Sequence, residues 1–97
     1  MDSAITVYIT IGNSDNRLTQ QRWSAFIADL LTVVQEYSTQ IYGPWYSSPT
    51  TPLQNACVGV VVSVHHVDRM RARLTELRHE YSQDSIAWAP VDQVRFL

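Results

Sequence analysis

The segment AITVYITIGNSDNRLTQQRW, Ala4–Trp23, decides how the rest of the chain is read. From Ala4 to Ile11 apolar and polar residues alternate. Ile5, Val7, Ile9 and Ile11 fall on one side, and Thr6, Tyr8 and Thr10 on the other. Period two in β-branched and aromatic residues predicts a half-buried strand. Gly12 closes it, a polar loop follows, and the apolar period then changes to that of a helix. Trp23, Phe26, Ile27, Leu30, Leu31 and Val34 recur at helical spacing with Tyr37 one turn further on, which predicts a helix over 19–38. Thr19 is the expected N-cap, because its hydroxyl can accept from a backbone N–H that the first turn leaves orphaned. Leu18 and Trp23 then stand at the two positions of a hydrophobic staple.

Working outward, TQIYGPWYSSPTTPLQ, Thr39–Gln54, begins as a strand over 40–46 that Gly43 and Pro44 interrupt. Proline has no N–H for a ladder, so this strand is expected at a sheet edge or with a bulge at that point. Residues 47–54 read as a loop. NACVGVVVSVHH, Asn55–His66, contains the second strong strand, over 56–64. Val58, Val60, Val62 and Val64 share one face, and Cys57, Gly59, Val61, Ser63 and His65 the other. Small or apolar residues on both faces predict a central strand. Val67, Met70, Leu74, Leu77 and Tyr81 trace an i, i+3, i+7 stripe on a second, amphipathic helix over 67–82. A short strand over 85–89, with Ile86 and Trp88 on one face, and an apolar tail over 90–97 complete the chain.

The order βαββαβ in a single domain predicts an α+β, ferredoxin-like sandwich: an antiparallel four-stranded sheet with two helices on one face. The right-handed crossover rule makes the two long strands neighbours at the sheet centre. If the helices cover the isoleucine and valine rows, Thr6, Tyr8, Thr10, Cys57, Gly59, Val61 and Ser63 are left on the opposite face, joined by aromatics from Tyr42, Trp45 and Tyr46. That face is too apolar to be well solvated, and a contiguous patch of this kind marks an association surface.

Composition narrows the chemistry. At 97 residues and 45% hydrophobic content the chain fits one domain, for which association adds burial. A net charge of −2 supplies no overall field for nucleic acid or an anionic membrane. The seven basic residues are all arginine, which excludes a Schiff-base or P-loop lysine. A single cysteine, Cys57, excludes an internal disulfide and a multi-cysteine metal cluster. The N-terminus lacks the basic and apolar regions of a signal peptide, and no apolar run reaches membrane-span length, so a cytoplasmic location is expected. No metal or cofactor is expected, and no motif carries a family assignment.

Three groups of residues are candidates for chemistry. The loop GNSDNR leads from the first strand to a helix N-terminus, where backbone N–H groups can hold an anion; Asn13, Asp15, Asn16 and Arg17 are its candidate ligand-binding residues. It lacks P-loop and dinucleotide spacing, and its residue types also dominate ordinary turns, so the connector reading is preferred. His65 and His66 are candidates for proton transfer, with Asp15 as a third catalytic candidate, but strand neighbours point to opposite faces and cannot share a metal. Cys57 and His65, eight residues apart on a strand, are roughly 26 Å apart and form no dyad. Four arginines, Arg69, Arg71, Arg73 and Arg78, crowd the second helix and read as a solvated face that Glu76 and Glu80 partly neutralise. RNA recognition through the sheet needs aromatics on both central strands, and the third strand offers none.

The expected function is therefore that of a small non-catalytic binding protein. It pairs as a homodimer through Tyr8, Thr10, Tyr42, Trp45, Val61 and Phe96, with a protein or small-molecule ligand and no nucleic acid or membrane among its partners. The alternative is a small enzyme or anion-ligand binder of the dimeric α+β barrel type, using the Gly12–Leu18 loop together with His65 or His66.

Overall fold

A computed structural model describes residues 3–13, 17–48, 53–91 and 97. Its elements run β1 (Ala4–Gly12), α1 (Gln20–Tyr37), β2 (Ser38–Tyr46), β3 (Asn55–Ser63), α2 (Val67–Glu80) and β4 (Ala87–Val91). The four strands form one antiparallel sheet in the order β2-β3-β1-β4, and both helices lie on one side of it. This is the α+β, ferredoxin-like arrangement expected from the element order.

The two long strands are sheet neighbours along their full length, from Ala4 opposite Ser63 to Gly12 opposite Asn55. Their register puts Val7 against Val60 and Ile9 against Val58, so the aliphatic rows coincide on the helix side. Those four side chains are fully buried, together with Phe26, Val34, Val62 and Met70. Leu30, Val33, Leu74 and Leu77 complete the layer between sheet and helices. Non-directional burial of these aliphatic and aromatic groups is the main force holding the helices to the sheet.

Helix α1 starts as its sequence dictates. The Thr19 hydroxyl accepts from the Arg22 backbone N–H at 3.1 Å, and the staple residues Leu18 and Trp23 are both buried. Helix α2 ends in a Schellman motif: the Ser82 N–H donates to the His79 carbonyl and the Gln83 N–H to the Arg78 carbonyl, at 3.1 and 2.9 Å. Ser82 takes the left-handed conformation, φ 54°, that glycine usually supplies.

Element ends differ from expectation by one or two residues, and β2 starts at Ser38 in place of 40. β3 stops at Ser63, so Val64 leaves the valine row and is exposed in the turn to α2. β4 covers Ala87–Val91 in place of 85–89, because pairing with β1 runs from Thr10–Ala87 to Thr6–Val91. Residues 90 and 91 thus belong to the sheet, and residues 92–96 of the expected tail lie outside the described residues. β2 is an edge strand with irregularities between Ser38 and Gln40 and between Tyr42 and Trp45, the second at Gly43-Pro44 as expected. That second irregularity sends Tyr46 to the helix side, opposite Ala56, and not to the open face with Tyr42 and Trp45.

Candidate functional site

The open face of the sheet is built by register alone. Tyr8 stands opposite Gly59 on one side and Ala89 on the other; Thr10 stands between Cys57 and Ala87. Gln40, Tyr42 and Trp45 of β2 face Val61, Gly59 and Cys57. The expected interface residues Tyr8, Thr10, Tyr42, Trp45 and Val61 are therefore brought onto one surface, and Phe96 lies outside the described residues. Ala87, Ala89 and Val91 extend this surface along β4. Their small-residue alternation is present in the sequence, but Pro90 in its midst argues against a paired strand there.

Gly59 shapes the centre of the face. A Cβ at this position would come within 3.0 Å of the Tyr8 ring and 3.4 Å of the Tyr42 Cβ. The absence of a side chain lets Tyr8 lie across β3, where its ring centroid is 6.4 Å from that of Trp45 at a tilt of 35°. Tyr8, Tyr42 and Trp45 remain 39%, 46% and 52% exposed, so three aromatic rings pave one side of a small protein without a covering element among the described residues. Cys57 is half-buried beneath them.

Asn13 ties the two described ends of the loop after β1 to each other. Asn13 is 1% exposed. Its amide oxygen accepts from the Leu18 N–H at 2.9 Å, and its amide nitrogen donates to the Leu18 carbonyl and to Gln54 Oε1, each at 3.0 Å. The Asn13 backbone N–H donates to the Gln54 carbonyl at 2.8 Å. Every polar group of this side chain is engaged in closing the loop and tying it to the approach to β3. Arg17 reaches away to the Asp84 carboxylate at 3.2 Å and the Ser82 carbonyl at 3.4 Å, across the mouth of the α2–β4 turn. Asp15 and Asn16 lie outside the described residues.

His65 and His66 occupy the β3–α2 turn, which lies beside Ser3 at the opposite end of β1 from the Gly12–Leu18 loop. Eight residue steps of strand, roughly 27 Å, separate the two ends. The structure therefore does not bring the histidines into one pocket with Asn13 or Arg17. His66 is the N-cap residue of α2, but its side chain makes no capping hydrogen bond; its ring lies 6.4 Å from that of Tyr37.

Two shallow cavities lie on the helix side of the sheet. One, of about 280 Å³, lies between the start of α1 and the β2–β3 connection, with Trp23, Tyr46, Gln20 and Gln54 among its walls. Gln20 and Gln54 bond to each other there at 2.9 and 2.7 Å. The other, of about 240 Å³, lies between α2 and the approach to β4. The aromatic stretch YGPWYSSP supplies Tyr46, Ser47 and Ser48 to the first; the second depends on the packing of α2 beside β4, which no local motif announces.

No protein-family model and no curated protein matches this chain. Among solved structures, the chain is similar over its whole length to a DUF3240 family protein from Shewanella baltica OS155, with a TM-score of 0.56 at 10% identity and 99% of that chain covered. This likeness shows the fold alone. A second structure, the apo form of LarC2, is the C-terminal domain of a cyclometallase involved in the synthesis of the NPN cofactor of lactate racemase. It aligns with 92% of this chain and 56% of its own length, at 14% identity and a TM-score of 0.48, too low to support an argument. Among the described residues no helix is long and apolar enough to cross a membrane.

Proposed function

We propose that this chain is a small cytosolic binding protein whose open sheet face is covered by a second copy of itself. The observation that carries the reading is the aromatic pavement of Tyr8, Tyr42 and Trp45 over Gly59, Cys57 and Val61. The helices already occupy the other side of the sheet, so this face has no partner within the described residues. Three of its strands are nine residues long. Standard strand spacings give a face of roughly 500 Å² in projection, and two such faces bury on the order of 1,000 Å², the lower limit for a specific interface. The composition also fits: aromatics at the centre, small residues around them, and no charged side chain among the paired open-face positions. A two-fold arrangement makes the patch self-complementary.

Light scattering on a sizing column tests the reading. The expected mass at micromolar concentration is twice 11.1 kDa, falling to 11.1 kDa in Tyr42→Glu and Trp45→Glu with the far-ultraviolet dichroism unchanged. A soluble wild-type monomer overturns it, as does a dimer that both substitutions leave intact.

A further inference from the structure

The second cavity, on the helix side of the sheet, carries a separate inference. Its floor is apolar, made by Leu74 of α2 with Ile86 and Trp88 leading into and along β4. Its rim is polar, with Arg71, Thr75 and Arg78 on one sector of α2 and Asp84 and Ser85 across from them. The two arginines are seven residues apart, two helical turns, with Thr75 between them on the same sector.

Neither guanidinium has a carboxylate partner among the described residues. Arg71 lies over the indole of Trp88, 5.6 Å from the ring centroid. Arg78 is held by the carbonyls of Gln83 and Asp84 at 3.1 and 3.3 Å, which fixes its fork at the cavity edge, and its other terminal nitrogen meets His79 Nε2 at 3.1 Å. Among the described residues of the rim the one acid, Asp84, is engaged by Arg17 at 3.2 Å. By contrast Arg73, on another sector of the same helix, does have its own acid, Glu76. A chain of net charge −2 thus places above an apolar floor two arginines that have no acid partner among the described residues.

The geometry points to a binding site for a small organic carboxylate with a flat apolar body. The carboxylate would be received by Arg71 and the body would lie against Trp88, Ile86 and Leu74. Guanidinium recognises carboxylate through paired N–H donors, and a delocalised cation already held over an indole loses little freedom in doing so. At about 240 Å³ the cavity lies below the roughly 300–1,000 Å³ of drug-sized pockets, which favours a single ring or a short chain. The site faces away from the open sheet surface, so it stands or falls independently of dimerisation.

Amide-resolved NMR titration of the full chain with phenylacetate tests the assignment. Phenylacetamide serves as the uncharged shape match and inorganic phosphate as the anion without a body. Saturable shifts confined to Arg71, Thr75, Ser85 and Trp88 are expected with phenylacetate alone. Arg71→Gln is expected to weaken that response about tenfold. Arg71 and Thr75 are both exposed, so Arg71→Gln and the cavity-filling Thr75→Trp both keep the wild-type spectrum elsewhere, and Thr75→Trp abolishes the response. The assignment is overturned by the absence of saturable shifts, by an equal response to the amide or to phosphate, or by unchanged affinity in Arg71→Gln.

Discussion

The Tyr81 hydroxyl, at the C-terminal cap of α2, donates to a carboxylate oxygen of Asp29 in α1 at 2.5 Å, joining residues 52 positions apart. The ring that carries it is stacked on Phe26 at 4.7 Å, and the Arg22 guanidinium lies over it, 4.3 Å from the ring centroid. Apolar stacking, a cation and a charge-assisted hydrogen bond therefore converge on one side chain that ties the two helices together.

Burial, followed by the hydrogen bond to Asp29, pushes the Tyr81 phenol up to about 12 from its ordinary 10.0. The native state thus holds this proton more tightly than the unfolded chain. The resulting stability is fully present below pH 10 and is lost as pH rises toward 12. A shift of this size corresponds to about 2–3 kcal/mol across that window. Urea unfolding of wild type at pH 8 and pH 11.5 is expected to show the loss. Tyr81→Phe, which removes the hydroxyl and lowers stability at pH 8 by about 1.5 kcal/mol, is expected to show a flatter pH profile. Parallel profiles for the two proteins would contradict the coupling.

Asn13 provides the second prediction. Its side chain closes the 13–18 loop and has no unused donor to offer a ligand. Asn13→Ala leaves the buried Leu18 N–H without its acceptor and is expected to cost about 2–3 kcal/mol by urea denaturation. Asn13→Asp keeps that acceptor but replaces two donations with a charge facing the Leu18 carbonyl and Gln54 Oε1, and is expected to cost at least as much. Asn13→Ala with wild-type stability would return this residue to the list of ligand contacts.

These two cases show where sequence reading reaches its limit. The β1 and β3 alternation, the Thr19 cap and the Met70–Leu74–Leu77 stripe were legible because each is set by period and by near neighbours. The open face followed from β1 and β3 directly. Its β2 contribution did not, because the bulge at Gly43-Pro44 determines whether Trp45 or Tyr46 faces outward. The role of Asn13 depends on Gln54, 41 residues away, and the Arg71–Trp88 contact depends on the packing of α2 beside β4. Local pattern carries no information about either pairing.

Gly59 gives a third prediction, aimed at the open face. In Gly59→Ala the new methyl meets the Tyr8 ring at 3.0 Å, and that ring is exposed enough to swing away. Monomer stability is therefore expected to change by less than about 1 kcal/mol. The paved surface is nevertheless disrupted at its centre, and the dissociation constant of the dimer proposed above is expected to rise about tenfold, measured by analytical ultracentrifugation. A tight dimer with wild-type affinity would show that the Tyr8–Gly59–Tyr42 contact is not at the centre of the interface.

Ser82 allows a stabilising test. It sits at the position after the α2 cap where φ is 54°, and its N–H and the next one satisfy the His79 and Arg78 carbonyls. A left-handed conformation crowds the Cβ of any L-residue, whereas glycine adopts it freely. Ser82→Gly retains the carbonyl that Arg17 contacts and is expected to add about 0.5–1 kcal/mol, after allowance for the greater freedom of glycine in the unfolded chain. For a domain of this size that is a rise in Tm of about 4 °C by calorimetry. Ser82→Ala keeps the Cβ and is expected to produce no such rise. A lower Tm for the glycine variant would mean that the serine side chain contributes more to the turn than its backbone costs.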